Sequence, residues 1–132
     1  MNIRIIHFYP DLMNLYGSYA NLSVLQRVLE RAGAEVTVET VAPGQDCDLT
    51  GANFLFMGAG TERRQKAAAR DFLRFADAVK AAAGAGTAML FCGTAMELLG
   101  KTITDADGQE TAGISLASFT SEIGRASCRE RV

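Results

Sequence analysis

Short apolar runs, separated by stretches with helical spacing, organise this chain. Ile3 to Phe8 is such a run, rich in β-branched residues, and predicts a strand buried on both faces. Pro10 ends it, and a polar, aromatic loop follows through Asp11, Asn14, Tyr16 and Gly17. Leu22, Leu25, Leu29 and Ala32 then recur at helical spacing, with Val28 beside them, which predicts a helix from about Tyr19 to Ala32. Gly33 stands where a left-handed C-terminal cap is wanted. Val36 and Val38 alternate with Thr37 and Glu39, as a strand near a sheet edge does.

The pattern repeats. Pro43-Gly44 and Asp46-Cys47-Asp48 read as loop, and Phe54-Leu55-Phe56-Met57 is a short apolar strand closed by Gly58-Ala59-Gly60. Ala68, Phe72, Phe75, Ala76 and Val79 share one face of a helix predicted from about Glu62 to Ala83, ended by Gly84 and Gly86. Ala88 to Phe91 is the next buried strand, and a helix is predicted from near Thr94 to Gly100. Ile103 to Gly108 reads as a strand entering a tight turn, with Asp107-Gly108 as the turn signal. Strands and helices thus alternate and end in a hairpin. That order predicts an α/β fold, an open and mostly parallel sheet with helices on both faces. Ile3–Phe8, Phe54–Met57 and Ala88–Phe91 are expected to be neighbouring parallel strands.

Composition narrows the classes. With 132 residues the chain suits one domain with a small core. Its net charge is −2 and no basic stripe is visible, so nucleic acid is not an expected partner. No apolar run approaches the ~20 residues that cross a bilayer, and Met1–Ile6 enters a strand-like run without a signal-peptide layout. The three cysteines, Cys47, Cys92 and Cys128, form neither a disulfide framework nor a CxxC metal pattern. The expectation is a cytoplasmic protein, and no metal or cofactor is indicated.

The C-terminus reads differently. Ile123 to Val132 holds three arginines and one glutamate without hydrophobic period, and it reads like the in-frame translation of a sequencing-library adapter. The expected organisation is therefore a domain over residues 1–122 and a non-native tail over 123–132 that packs against nothing. The natural protein is expected to continue beyond Glu122.

In open α/β sheets, ligands collect at the carboxyl ends of strands. Cys92-Gly93-Thr94 lies between a buried strand and a helix start, where a thiol can project from the sheet and face the positive end of the helix dipole. The alternative is a small, buried, apolar cysteine at a strand end. Gly58-Ala59-Gly60-Thr61 is the second candidate, because adjacent glycines let backbone N–H groups approach a ligand as an oxyanion site requires. A plain tight turn is its alternative. A dinucleotide fingerprint is excluded, since the segment runs Gly-x-Gly-x-x-Arg and does not follow the first strand. His7, the one histidine, sits within the first strand and reads as structural. Glu62, Arg63 and Arg64 open a helix and read as solvated. Asn14, Tyr16 and Gly17 either line a pocket or serve as loop caps.

Three segments in order carry a family resemblance. His7-Phe8-Tyr9-Pro10-Asp11-Leu12-Met13-Asn14-Leu15-Tyr16-Gly17 with Asn21, then Phe56 to Gln65, then Phe91 to Gly100, resemble the class I glutamine amidotransferases of the cobyric-acid-synthase type. Within these, the chain is most similar to the glutaminase-subunit branch of lipid II isoglutaminyl synthase. The resemblance implies a flavodoxin-like, class I glutaminase-type fold, incomplete at its C-terminus. It further implies glutamine as substrate, Cys92 as candidate nucleophile, Gly58, Ala59, Gly60 and Gly93 as the oxyanion and substrate loop, and ammonia delivery to a Mur-ligase-like synthetase partner. The family's histidine and acid lie beyond this chain, which predicts an inactive fragment. The other expectation is a non-catalytic amidotransferase-like module for binding or docking. The third segment departs from the family's Cys-Gly-Gly-x-Gln-x-Leu-Gly pattern: an ungapped alignment puts Gly93 at the nucleophile's place, and a shift of one residue puts Cys92 there.

Overall fold

The computed structural model describes residues 1–17, 19–123 and 128–131, with the backbone alone at Tyr16, Ile123 and 128–131. The predicted α/β core is present. Strands β1 (Asn2–Phe8), β2 (Glu35–Val41), β3 (Phe54–Met57) and β4 (Ala88–Phe91) form a wholly parallel sheet in the order β2-β1-β3-β4. Ile5, His7 and Phe8 of β1 stand opposite Phe54, Phe56 and Met57 of β3, which stand opposite Ala88, Leu90 and Phe91 of β4. As the alternation of Val36 and Val38 predicts, β2 is an edge.

Burial on both faces explains why the strands read as continuous apolar runs. Helix α1 (Tyr19–Arg31) covers one face, where Leu22, Leu25 and Leu29 pack with Ile5, Phe56, Val36 and Val38. The chain leaves α1 through Gly33 at φ 95°, where the N–H groups of Gly33 and Ala34 bond the carbonyls of Glu30 and Leu29. Only a residue without Cβ takes this cap without strain. The opposite face packs Ile6, Phe8, Leu55, Met57 and Phe91 against Ala68, Phe72, Phe75 and Val79. Each fully buried Phe contributes on the order of 1.5–3 kcal/mol.

The single helix predicted from Glu62 to Ala83 is corrected. Helix α2 (Glu62–Phe72) and helix α3 (Ala76–Gly84) are separated by a 3₁₀ turn at Leu73–Phe75, with Phe75 at φ −94°, ψ 1°. Residues three apart eclipse in such a turn. Phe72 and Phe75 are therefore both brought over Phe8, at ring distances of 5.2 and 5.3 Å. The helix predicted to run to Gly100 is shorter too: α4 spans Thr94–Glu97. The carbonyls of Leu98, Leu99 and Gly100 instead accept from Ile114, Ala117 and Ser115.

The predicted hairpin is β5 (Thr102–Thr104) with β6 (Glu110–Ala112), turning at Gly108. It belongs to a second sheet that the apolar pattern did not reveal, in the order β6-β5-β7-β8, with β7 at Thr120–Ile123 and β8 at Cys128–Arg131. Lys66 of α2 holds this sheet to the first through a 2.6 Å ion pair with Asp105, whose other oxygen accepts the N–H groups of Asp107 and Gln109. The Asp105 carboxylate is only 4% exposed, and the Lys66 ammonium beside it holds its pKa below the ordinary carboxylate value. The expectation that the last residues pack against nothing is also corrected, since β8 runs antiparallel along β7 from Ile123↔Cys128 to Thr120↔Arg131. Ladder bonds use backbone groups, so a polar stretch without hydrophobic period can still pair. Residues 124–127 and 132 of that tail lie outside the described residues.

Phe72→Ala should destabilise the fold by about 3–5 kcal/mol, because it empties the contact between α2 and the sheet. Leu73→Ala, at a position 42% exposed, should stay within about 0.5 kcal/mol. Urea unfolding of the two variants side by side checks the pair.

Candidate functional site

The Cys92 N–H donates to the Met57 carbonyl at 3.0 Å, which carries the β3–β4 ladder one residue past the end of β4. The chain must then turn from strand to helix at once. Gly93 does so at φ 53°, ψ −121°, a conformation that side-chain-bearing residues rarely adopt. The turn closes through Ala95 N–H to the Cys92 carbonyl (2.9 Å) and Met96 N–H to the Gly93 carbonyl (3.1 Å). Gly93 itself is exposed.

The glycine-rich loop after β3 lies against this turn. Thr94 joins the two: its Oγ1 accepts the Gly60 N–H at 2.9 Å and donates to the Gly60 carbonyl at 2.8 Å. The Ala59 carbonyl accepts from Leu15 N–H at 2.8 Å. A Cβ on Gly60 would lie 2.4 Å from Met13 Sδ and 3.2 Å from the Leu12 carbonyl oxygen, so the loop after β1 requires glycine there. Behind the turn, Gln65 of α2 is buried. Its Nε2 donates to the Thr94 carbonyl at 2.8 Å and to Glu97 Oε2 at 2.7 Å.

The structure thus brings Gly58, Ala59 and Gly60 to Gly93, but it assigns their groups unequally. The Gly60 amide is occupied by Thr94. A Cβ on Gly93 would come within 3.1 Å of Ala59 Cβ, so position 93 faces the loop. The Cys92 backbone stands at the helix start, but its side chain packs on the α1 side with Ile5, Leu22 and Phe56. Asn21 Nδ2 lies 4.0 Å from its Sγ. Burial pushes the Cys92 thiol up from its ordinary pKa, and the contact with Asn21 offsets this only in part. The four-residue α4 does not produce a thiolate here.

His7 is 6% exposed and packs edge-on to Phe56 at 5.0 Å, and burial lowers its pKa below the ordinary imidazole value. It borders an open groove of about 400 Å³ between the end of β1 and α1, with Asn14, Tyr19 and Gln26 also on its walls. Gly17 ends a 3₁₀ turn (Leu15–Gly17) at φ 67°, and the Tyr16 side chain lies outside the described residues. Glu62, Arg63 and Arg64 are exposed, as expected of a solvated helix start. Among the described residues, no group of three or more His, Cys, Asp or Glu side chains is placed to hold a metal ion, and no helix is long and apolar enough to cross a membrane.

Sequence reasoning missed Thr94, Gln65 and Asn21 as contributors. Gln65 had a signal: with Ala68, Ala69 and Phe72 it forms a buried i, i+3, i+4, i+7 stripe. A polar residue on that stripe demands a buried partner. Nothing comparable marked Asn21.

Residues 4–130 match the family model described as the CobB/CobQ-like glutamine amidotransferase domain. The chain is 30% identical over 115 residues to the Streptococcus pneumoniae (strain ATCC BAA-255 / R6) lipid II isoglutaminyl synthase (glutamine-hydrolyzing) subunit GatD, covering 86% of this chain and 44% of that protein. It is 26% identical over 121 residues to the subunit of the same name from Staphylococcus aureus (strain N315), covering 91% of this chain and 49% of that protein. The chain therefore spans about half the length of these relatives.

Two outcomes test the site's physics. Thr94→Val should lower stability by about 1–3 kcal/mol, because it leaves the Gly60 N–H and carbonyl without their partner, while Thr94→Ser should retain most of it. Because the folded pKa of His7 is lowered, the unfolded chain binds the extra proton first. Stability should therefore fall as pH drops below the ordinary value of 6.5 toward the folded one. A His7→Phe variant should lack that slope in denaturation midpoints measured from pH 7.5 to 5.

Proposed function

Because this chain belongs to the CobB/CobQ-like glutamine amidotransferase domain family, we propose that it carries the strand-end half of a glutamine site in a glutaminase-type subunit. The observation behind this is the joining, through Thr94, of the Gly58–Gly60 loop to the Cys92–Gly93–Thr94 turn at the carboxyl edge of a parallel sheet. Ligands of open α/β sheets bind at such an edge. The two relatives are named as subunits of a glutamine-hydrolyzing synthase, which supports a second, synthetase-type partner for this protein, Mur-ligase-like in kind, that consumes the ammonia.

The chemistry proposed for such a site is acyl transfer. A thiol sulfur bonds to the side-chain amide carbon of glutamine, the C–N bond breaks, and ammonia leaves with the thiol proton. Water then cleaves the thioester, giving glutamate and restoring the thiol. Both steps need a base. Cys92 is the thiol of this edge among the described residues, and His7 is turned onto Phe56 within the first strand.

A second reading, a non-catalytic amidotransferase-like module that keeps the site for binding or docking, is favoured by one observation: the strained residue of the turn is Gly93, which has no side chain. The two readings share the glutamine site and differ in hydrolysis.

Ammonia release from glutamine by the purified 132-residue chain should not exceed that of a Cys92→Ala control, and turnover above the control would refute the inactivity of this chain. In parallel, titrating glutamine while following backbone amide signals should shift those of Gly58, Ala59, Gly60 and Gly93. Shifts confined to other segments would refute the glutamine site itself.

A further inference from the structure

We infer that residue 93, not residue 92, is the seat from which this turn would present a nucleophile, and that Gly93 leaves that seat without a reacting group while Cys92 serves as a packing residue. The inference rests on the glutamine-site reading above and decides between its two forms.

Four independent features of the turn agree. The first is backbone conformation. A nucleophile is presented from a sharp strand-to-helix turn by the residue that takes the strained conformation, because that residue alone projects beyond the sheet. Here that residue is 93, at φ 53° and ψ −121°. The second is direction. A side chain on residue 93 would start 3.1 Å from Ala59 Cβ, on the loop side, where an attacked carbonyl would have to stand. Cys92 is the preceding extended residue, and neighbours in extended chain point to opposite sides. Its side chain accordingly packs with Ile5, Leu22 and Phe56.

The third is access, since Gly93 is exposed and Cys92 is half-buried under α1. The fourth is the set of partners around the sulfur. Asn21 Nδ2 at 4.0 Å and apolar side chains surround Sγ, with no cation or histidine nitrogen to hold a thiolate. Rotation about χ1 does not carry Sγ across the backbone to Ala59, because the Cys92 N–H is fixed to the Met57 carbonyl in the sheet ladder. The site is thus built to receive a glutamine-like carboxamide and to return it unchanged.

The test uses the 132-residue chain and a chloroketone analogue of glutamine, with iodoacetamide as the non-directed alkylator. Labelling is located by peptide mass spectrometry. In the unaltered chain, the ratio of Cys92 to Cys47 labelling should be the same for both reagents, and excess glutamine should not protect Cys92. In a Cys92→Ala, Gly93→Cys double variant, the introduced thiol should be alkylated by the analogue about ten-fold faster or more than Cys92 in the unaltered chain, as expected of an exposed thiol facing a bound carboxamide. Glutamine should protect it.

Glutamine-protected labelling of Cys92 in the unaltered chain overturns the inference whatever the variant does, so a misfolded variant does not rescue it. An introduced thiol no more reactive than Cys92 toward either reagent overturns it as well. If the introduced thiol outreacts Cys92 with both reagents equally and glutamine protects neither, the seat stands and the glutamine-site reading falls.

Discussion

The hydrogen bond from Cys92 N–H to the Met57 carbonyl sets the level at which the chain leaves the parallel sheet. Everything at the carboxyl edge follows from that level. The ladder holds residue 92 in register with the start of the glycine-rich loop, so the reversal into α4 is left to residue 93. Thr94 then arrives where its hydroxyl can both accept from and donate to Gly60. Gln65 completes the arrangement from behind by bonding the Thr94 carbonyl. A shift of one residue at the end of β4 would exchange the sides of residues 92 and 93, as it does for any strand.

The same economy of partners holds β1 in place. Tyr9, just past its end, sits at φ 54° and is fully buried, which needs compensation from its surroundings. Its hydroxyl bonds Asp71 of α2, which also accepts from the Gly44 N–H and from Arg74. Burial pushes the Asp71 carboxyl up, but the bonds from Tyr9, Arg74 and Gly44 outweigh it and hold its pKa below the ordinary value. On the α1 side coverage is uneven: Leu90 of β4 and Val24 and Val28 of α1 remain exposed. Helix α1 shields β1 and β2 better than it shields β4.

The core was legible in the sequence because burial on both faces forces uninterrupted apolar runs, and Ile3–Phe8, Phe54–Met57 and Ala88–Phe91 are such runs. Gly33 and Gly108 were legible because their places in the pattern demanded left-handed backbone. The break between α2 and α3 was hidden, since Phe72 and Phe75 fit one helical face about as well as they fit a 3₁₀ turn. Strands β7 and β8 were hidden because Thr120–Ile123 and Cys128–Arg131 are largely polar and short, and pair through backbone alone. At the site, the loop and turn were found by their glycines. The direction of the Cys92 side chain was not, because it depends on ladder register and on Asn21, 71 residues away in sequence.

Gln65 and Lys66 are consecutive residues of α2, yet one is bonded to the turn at Thr94 and the other to the buried carboxylate of Asp105 in the second sheet. The helix acts mechanically as a rocker with a load at each of two adjacent points. Tilting the β5–β6 hairpin drags Lys66, and a rigid helix passes that displacement to Gln65 and on to the floor of the Gly93 turn. A partner that grips the hairpin would therefore adjust the shape of the strand-end site without touching it.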